Sequence, residues 1–167
     1  MPLEIERKFL VRETRQAPSD LVIDTRYIVQ TYLVPNIEES TERVRLSTDG
    51  YVPVYTHTVK IRVDHGVHEE EEREIPAEEY GQLLSRADPS LNVISKTRYT
   101  FDWGDWTWEL DSFSGLKDER GQKLQVLEVE IDDPQTQVEV PPFIIVEREV
   151  TDDRNYTNRS LAERSRT

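Results

Sequence analysis

Cysteine is missing from the 167 residues and methionine occurs once. The first absence excludes a disulfide framework and a thiolate metal site, and leaves redox compartment unreadable. Long apolar runs are missing as well: hydrophobic residues make up 35% of the chain, and no stretch reaches the length of a bilayer-spanning helix. Positive charge is the minority, 21 Lys and Arg against 34 Asp and Glu, for a formal net charge of −13. Nucleic acid is therefore not the expected partner, because phosphate backbones select basic surfaces. No charged-then-apolar leader opens the sequence, so a soluble, cytoplasmic protein without membrane association is the expectation. The length suits one domain, 1–167.

What is plentiful is charge, 33% of residues, more than a globular chain usually carries. Gly and Pro punctuate short segments of period-two alternation at 3–11, 25–34, 42–48, 54–63, 68–75, 93–101, 106–113, 124–132 and 143–150. Helical spacing appears twice, from Pro76 to about Ala87 and across 155–165, the second capped by Asp152 or Asp153. Regular strands with few helices predict a mainly β fold, an antiparallel barrel or sandwich.

Strand parity then separates two kinds of face. Val44 and Leu46 oppose Arg43 and Arg45; Val59, Ile61 and Val63 oppose Lys60 and Arg62; Trp106, Trp108 and Leu110 oppose Glu109 and Asp111. The polar faces are not mixtures of Ser, Thr and Asn. They are like-charged pairs: Glu4/Glu6, Glu72/Glu74, Glu109/Asp111 and Glu128/Glu130 are acidic, whereas Arg43/Arg45, Lys60/Arg62 and Lys96/Arg98 are basic. A solvated sheet face explains any one strand. Repeated strand after strand, like charges repel unless a counter-charge arrives from elsewhere. A closed barrel of about eight strands supplies it, and its interior has room for side chains or one small ligand. Basic pairs would clamp phosphate oxygens and acidic pairs would hold a hard cation, Mg²⁺ or Mn²⁺. The apolar parity would face outward beneath the two helices, with Trp106 and Trp108 under one of them.

Glu4-Ile5-Glu6-Arg7-Lys8 resembles the E-x-E-x-K signature of the CYTH superfamily, the triphosphate tunnel metalloenzymes. The likeness continues in order through Gln30-Thr31-Tyr32-Leu33, Arg43-Val44-Arg45, Thr58-Val59-Lys60, Glu72-Arg73-Glu74-Ile75, Lys96-Thr97-Arg98, Glu109-Leu110-Asp111-Ser112-Phe113, Glu128-Val129-Glu130 and Val150-Thr151 to Tyr156-Thr157-Asn158. The resemblance implies a closed eight-stranded antiparallel tunnel and metal-dependent hydrolysis of a triphosphate, most simply inorganic triphosphate. Adenylate cyclase and thiamine triphosphatase are the enzymatic alternatives, and a phosphate-binding module without turnover is the other.

By the same resemblance, Lys8, Arg43, Arg45, Lys60, Lys96, Arg98 and Arg154 would bind phosphate. Lys8 and Tyr32 would sit at the reacting group, and Glu4, Glu6, Glu128 and Glu130 would hold Mg²⁺ or Mn²⁺. Glu72, Glu74, Glu109 and Asp111 would be further tunnel acids. Glu70 stands where the family often has arginine, and Arg62 has the parity to replace that charge. Arg154 stands where lysine is common. A small triphosphate is the expected partner of a monomer or homodimer. His57, His65 and His68 form no metal-ligand spacing, and His65 and His68 flank a turn, which predicts a solvated loop.

Overall fold

The computed structural model describes residues 3–64 and 67–164, with Glu4 described through its backbone alone. Its strands are β1 (Leu3–Thr14), β2 (Asp24–Leu33), β3 (Ser40–Thr48), β4 (Pro53–Asp64), β5 (Val67–Ile75), β6 (Ile94–Trp103), β7 (Trp106–Lys117), β8 (Lys123–Glu130) and β9 (Ile144–Glu149). They form one sheet in the order β5-β4-β3-β2-β6-β7-β8-β1-β9, and β5 also pairs with β1. Eight strands thus close an antiparallel ring, with β9 outside it. The length of β1 permits both arrangements. One edge takes β8; the other pairs Leu3–Ile5 with β5 and Phe9–Thr14 with β9. The mainly β barrel expected from the alternation is the observed fold.

The β6–β7 hairpin shows how local sequence sets register. Trp103 pairs with Trp106 across Gly104-Asp105, and Gly104 has φ of 63°. A positive φ at the first turn position matches the twist of the flanking strands, and glycine adopts it without a Cβ penalty.

The helices are shorter than their spacing predicts. Helix α1 (Ala77–Leu83) runs into a 3₁₀ turn at Leu84–Arg86. The expected helix over 155–165 is split in two. Asp153 accepts from the Asn155 amide and starts a 3₁₀ turn at Arg154–Tyr156, whereas Thr157 accepts from the Ser160 amide and caps α2 (Asn158–Glu163). Among the described residues no helix is long and apolar enough to cross a membrane.

Three apolar clusters hold the barrel. Outside, α1 covers Leu33, Val44 and Ile75 with Tyr80, Leu83 and Leu84. The larger outer face carries Phe9, Trp108, Leu110, Leu127 and Val129, and is covered by Ile144 of β9 together with Leu21, Val138, Val140 and Phe143. Trp106 and Trp108 therefore lie beneath an irregular segment and β9, not beneath a helix as the parity reading expected. Helices of six and seven residues are too short to roof that face.

The third cluster has the parity of the charged residues. Leu10, Tyr32, Ile94, Phe113, Leu124 and Val126 pack with Val150, Tyr156, Leu161 and Ala162 of the terminal segment. The barrel interior is thus apolar at one end, and residues 150–162 close that end. Fully burying one such side chain contributes about 1.5–3 kcal/mol, whereas a buried ion pair must first offset the desolvation of both charges and is often no better than apolar packing of the same volume. The clusters, not the charged interior, stabilise the fold.

Candidate active site: a two-signed lumen

The remaining interior is a cavity of about 510 Å³ lined almost wholly by polar and charged side chains. Strand order arranges their signs. Walking round the ring, β4, β3, β2 and β6 are neighbours and present Lys60, Arg62, Arg43, Arg45, Gln30, Tyr32 and Arg98 on the inward parity. Completing the ring, β7, β8, β1 and β5 present Glu109, Glu128, Glu130, Glu6, Glu70 and Glu72, with Lys8 alone among them in sign. The lumen therefore has a basic arc and an acidic arc.

Ion pairs form where the arcs meet. At the β6–β7 seam, Arg98 donates from Nε to Asp111 Oδ1 at 2.7 Å and from Nη2 to Oδ2 at 2.8 Å, while its Nη1 lies 2.7 Å from Glu109 Oε2. At the β4–β5 seam, Lys60 is paired with Glu70 in register, and Thr58 donates to Glu72 at 2.8 Å. Arg43 reaches the same seam, with Nη2 3.9 Å from Glu70 Oε1.

Away from the seams the charges are less satisfied. Among the described residues Arg45 donates only to the neutral Gln30, at 3.0 Å. Burial, then Arg43 and Arg98, pull its pKa down to about 9. A guanidinium stays protonated at neutral pH even so, and the direction shows that Glu72 and Asp111 only partly offset the burial and like charge around Arg45. Gln30 Nε2, Arg43 Nε, Arg45 Nε, His68 Nδ1 and Lys96 Nζ are all buried without a hydrogen-bond partner among the described residues, although Lys96 Nζ lies 2.7 Å from Asp111 Oδ2 as an ion pair. All five belong to residues of inward parity, and Arg43, Arg45 and His68 line the cavity itself. Buried polar atoms are rarely left unpaired, so their concentration inside the barrel singles out the lumen.

The acidic arc centres on β1 and β8. Glu6 stands directly opposite Glu130, and Lys8 opposite Glu128. Like charges in directly opposed positions destabilise a sheet unless a cation intervenes. Lys8 Nζ supplies part of that charge, 3.6 Å from Glu128 Oε1 and 3.8 Å from Glu6 Oε1, and it donates to the Tyr156 carbonyl at 3.3 Å. Burial alone would lower the Lys8 pKa, but Glu128 and Glu6 hold it above its usual value. The donor set fits a hard divalent cation: carboxylate oxygens, two of them face to face. No group of three such side chains among the described residues is arranged to hold an ion.

Of the residues expected at the site, Glu6, Lys8, Tyr32, Arg43, Arg45, Lys60, Arg62, Arg98, Arg154, Glu72, Glu109, Glu128 and Glu130 line this one cavity. Arg62 Nη2 lies 3.9 Å from Asp152 of the terminal segment. Lys96 and Asp111 lie behind the lining with side chains at 0% exposure, and Glu74 is exposed beyond it. The Glu4 side chain and His65 lie outside the described residues.

His68, Asn158 and Arg159 also line the cavity, although the sequence assigns a site role to none of them and Asn158 enters only through the terminal motif of the resemblance. His68, expected in a solvated loop, faces inward instead. Burial, then Lys60, pull its pKa down to about 4, so the imidazole is neutral at physiological pH. Its parity with Glu70 and Glu72 was the available signal. Asn158 and Arg159 reach the lumen from α2, outside any strand alternation. His57 faces outward and contacts Glu42 at 2.8 Å.

Fold and lumen together define a barrel built around an enclosed polyanion site. An inorganic triphosphatase from Acetivibrio thermocellus is 34% identical over 163 residues, covering 96% of this chain and 94% of that protein. The crystal structure of the inorganic triphosphatase NE1496 superimposes with a TM-score of 0.62 at 27% identity, over 100% of this chain and 99% of the other. A Hippeastrum protein described as a putative adenylyl cyclase with a dominant triphosphatase activity shares the fold, with a TM-score of 0.52 at 16% identity over 79% and 81% of the two chains. No protein-family model matches the sequence. The chain belongs to the CYTH superfamily of triphosphate tunnel enzymes.

Proposed function

We propose that the protein hydrolyses inorganic triphosphate to pyrophosphate and phosphate with the help of Mg²⁺ or Mn²⁺. The observation that carries this reading is the division of one enclosed lumen into contiguous basic and acidic arcs. A polyanion needs the first, and a cation that bridges it to the protein needs the second. The whole-length likeness to a triphosphatase supports the same reaction. Among the described residues the only aromatic or apolar side chains lining the lumen are those of Tyr32, His68 and Val129, a sparse platform for a nucleobase or thiazolium ring, which favours the inorganic substrate over ATP or thiamine triphosphate.

In this reading Arg43, Arg45, Lys60 and Arg98 hold the phosphate oxygens, with Arg62, Arg154 and Arg159 nearer the terminal segment. Their fixed charge stabilises negative charge spread over the transferring phosphoryl group, commonly the largest catalytic term in such sites. Lys8, alone among acids, places an ammonium where the oxygens nearest the acidic arc would lie, and Tyr32 closes the lumen behind Arg43, its register partner. Glu6, Glu128 and Glu130, with Glu4, would hold the divalent ion. Such an ion supplies charge neutralisation and a more acidic bound water.

The test is to incubate the purified protein with Mg²⁺ or Mn²⁺ and, in turn, triphosphate, thiamine triphosphate and ATP. Orthophosphate released chiefly from triphosphate is the expected result. Cyclic AMP from ATP would make it a cyclase, and binding without turnover would make it a phosphate-binding module.

A further inference from the structure

Lys96 has the inward parity of a ligand-binding residue and a fully buried amine, yet it does not reach the cavity. Its side chain is 0% exposed, and its Nζ lies 2.7 Å from Asp111 Oδ2, whose own side chain is 0% exposed. Phe113 covers it, with Nζ 5.3 Å from the ring centroid. Asp111 is shared: the carboxylate that meets Lys96 also receives both Nε and Nη2 of Arg98, and Arg98 does line the cavity.

We propose that Lys96 is a positioning residue that acts on substrate through Asp111 and Arg98 and does not itself touch phosphate. A carboxylate pinned by a second cation cannot rotate. It then fixes the planar guanidinium through two parallel bonds, leaving Nη1, now beside Glu109, to meet the substrate. Without Lys96, Asp111 keeps its bonds to Arg98 but loses what holds its plane, and Arg98 gains freedom it must give up on binding. Removing one partner from such a buried network normally disturbs the rest. The functional consequence rests on the triphosphate reading above; the positioning itself does not.

The first experiment therefore needs no ligand. In the free protein the Arg98 Nε–H, bonded to a buried carboxylate, gives a slowly exchanging resonance in heteronuclear NMR. Lys96→Met is expected to broaden or abolish it while leaving backbone resonances of β2 and β8 in place. Asp111→Asn, a second variant of nearly native shape, is expected to do the same with Lys96 present. An unchanged Arg98 signal in Lys96→Met overturns the proposal, whatever the substrate.

The second experiment is calorimetric titration with inorganic triphosphate and Mg²⁺. Lys96→Met is expected to weaken binding about tenfold in the wild-type background and by less than about twofold in Arg98→Met. An equal loss in both backgrounds would mean that Lys96 contacts phosphate directly. Acetylation of the wild-type protein is the control: Lys60 is expected to be modified and then protected by triphosphate, with Lys96 unreactive throughout. Modification of Lys96 that triphosphate prevents would likewise overturn the proposal. Failure of the wild type to bind triphosphate would sink the functional reading and leave the NMR result standing.

Discussion

Two charged clusters sit on opposite faces of the same strand, β3, and they are built on different terms. Outside the barrel, the Glu42 carboxylate is 4% exposed and fully engaged. It accepts from Arg86 at 2.9 and 2.7 Å and from the Asn36 amide at 3.2 Å, and contacts His57 at 2.8 Å. Inside, its neighbours Arg43 and Arg45 each carry a buried Nε with no hydrogen-bond partner among the described residues. The outer cluster is complete and joins β3, β4 and the turn after α1. The inner one is incomplete. A satisfied buried charge belongs to the fold, whereas an unsatisfied one costs stability and is retained where a ligand completes it. The contrast separates architecture from site on a single strand.

Breaking the inner cluster gives the largest effect. Arg45→Met is expected to lower kcat/KM for triphosphate by at least about 100-fold, and Glu6→Gln to remove turnover stimulated by the divalent ion. Neither change should lower Tm by more than a few degrees, because Arg45 has no carboxylate within ion-pair distance among the described residues, and Glu6, although 3.8 Å from Lys8 and 3.9 Å from Lys60, stands opposite the like charge of Glu130. A Tm falling in step with activity would show the lumen charges to be structural. Breaking the outer cluster should do the reverse. Glu42→Gln leaves Arg86 and His57 with a weaker partner in a buried place and is expected to cost about 2 kcal/mol, a Tm lower by roughly 6 °C for a chain of this size, with kcat unchanged. Ligand should sharpen the difference further. Triphosphate with Mg²⁺ at about 100 times Kd is expected to add about 2.7 kcal/mol to the wild type and to Glu42→Gln alike, and far less to Arg45→Met.

The signs of the two arcs were legible in the sequence because alternation assigns each charge to a face without knowledge of the fold. Their contiguity was not. It depends on β2 pairing with β6 and on β1 bridging β8 to β5, pairings that no local pattern encodes. The alternation was also read only as far as the charge extended. Leu10, Ile94, Phe113 and Val126 continue the same inward parity as apolar residues, and they turn an open tunnel into one closed at an end. Residues reaching the lumen from outside the strands, such as Asn158 and Arg159, carry no period to betray them. Nor can parity tell an inward lysine that meets solvent from one that stops short. Lys96 and Arg98 look alike in sequence, and a carboxylate on the next strand, Asp111, makes the difference.

The smallest effect tests the outer cluster by pH. Burial would raise the Glu42 pKa, but hydrogen bonds from Arg86, then His57, outweigh it and hold the value below its usual 4.5. The folded protein therefore binds this proton less readily than the unfolded chain does. Stability from Glu42 is fully present above the unfolded value and is lost as pH falls through the folded one. Between pH 7 and pH 4 the wild type should lose stability from this and every other carboxylate held low, whereas Glu42→Gln loses all but the Glu42 share. The gap in Tm between the two proteins is thus expected to narrow at pH 4, by an amount worth about 1 kcal/mol or less. A gap that stays constant would mean that Glu42 contributes through shape alone, and the contrast between a satisfied outer charge and an unsatisfied inner one would lose its outer half.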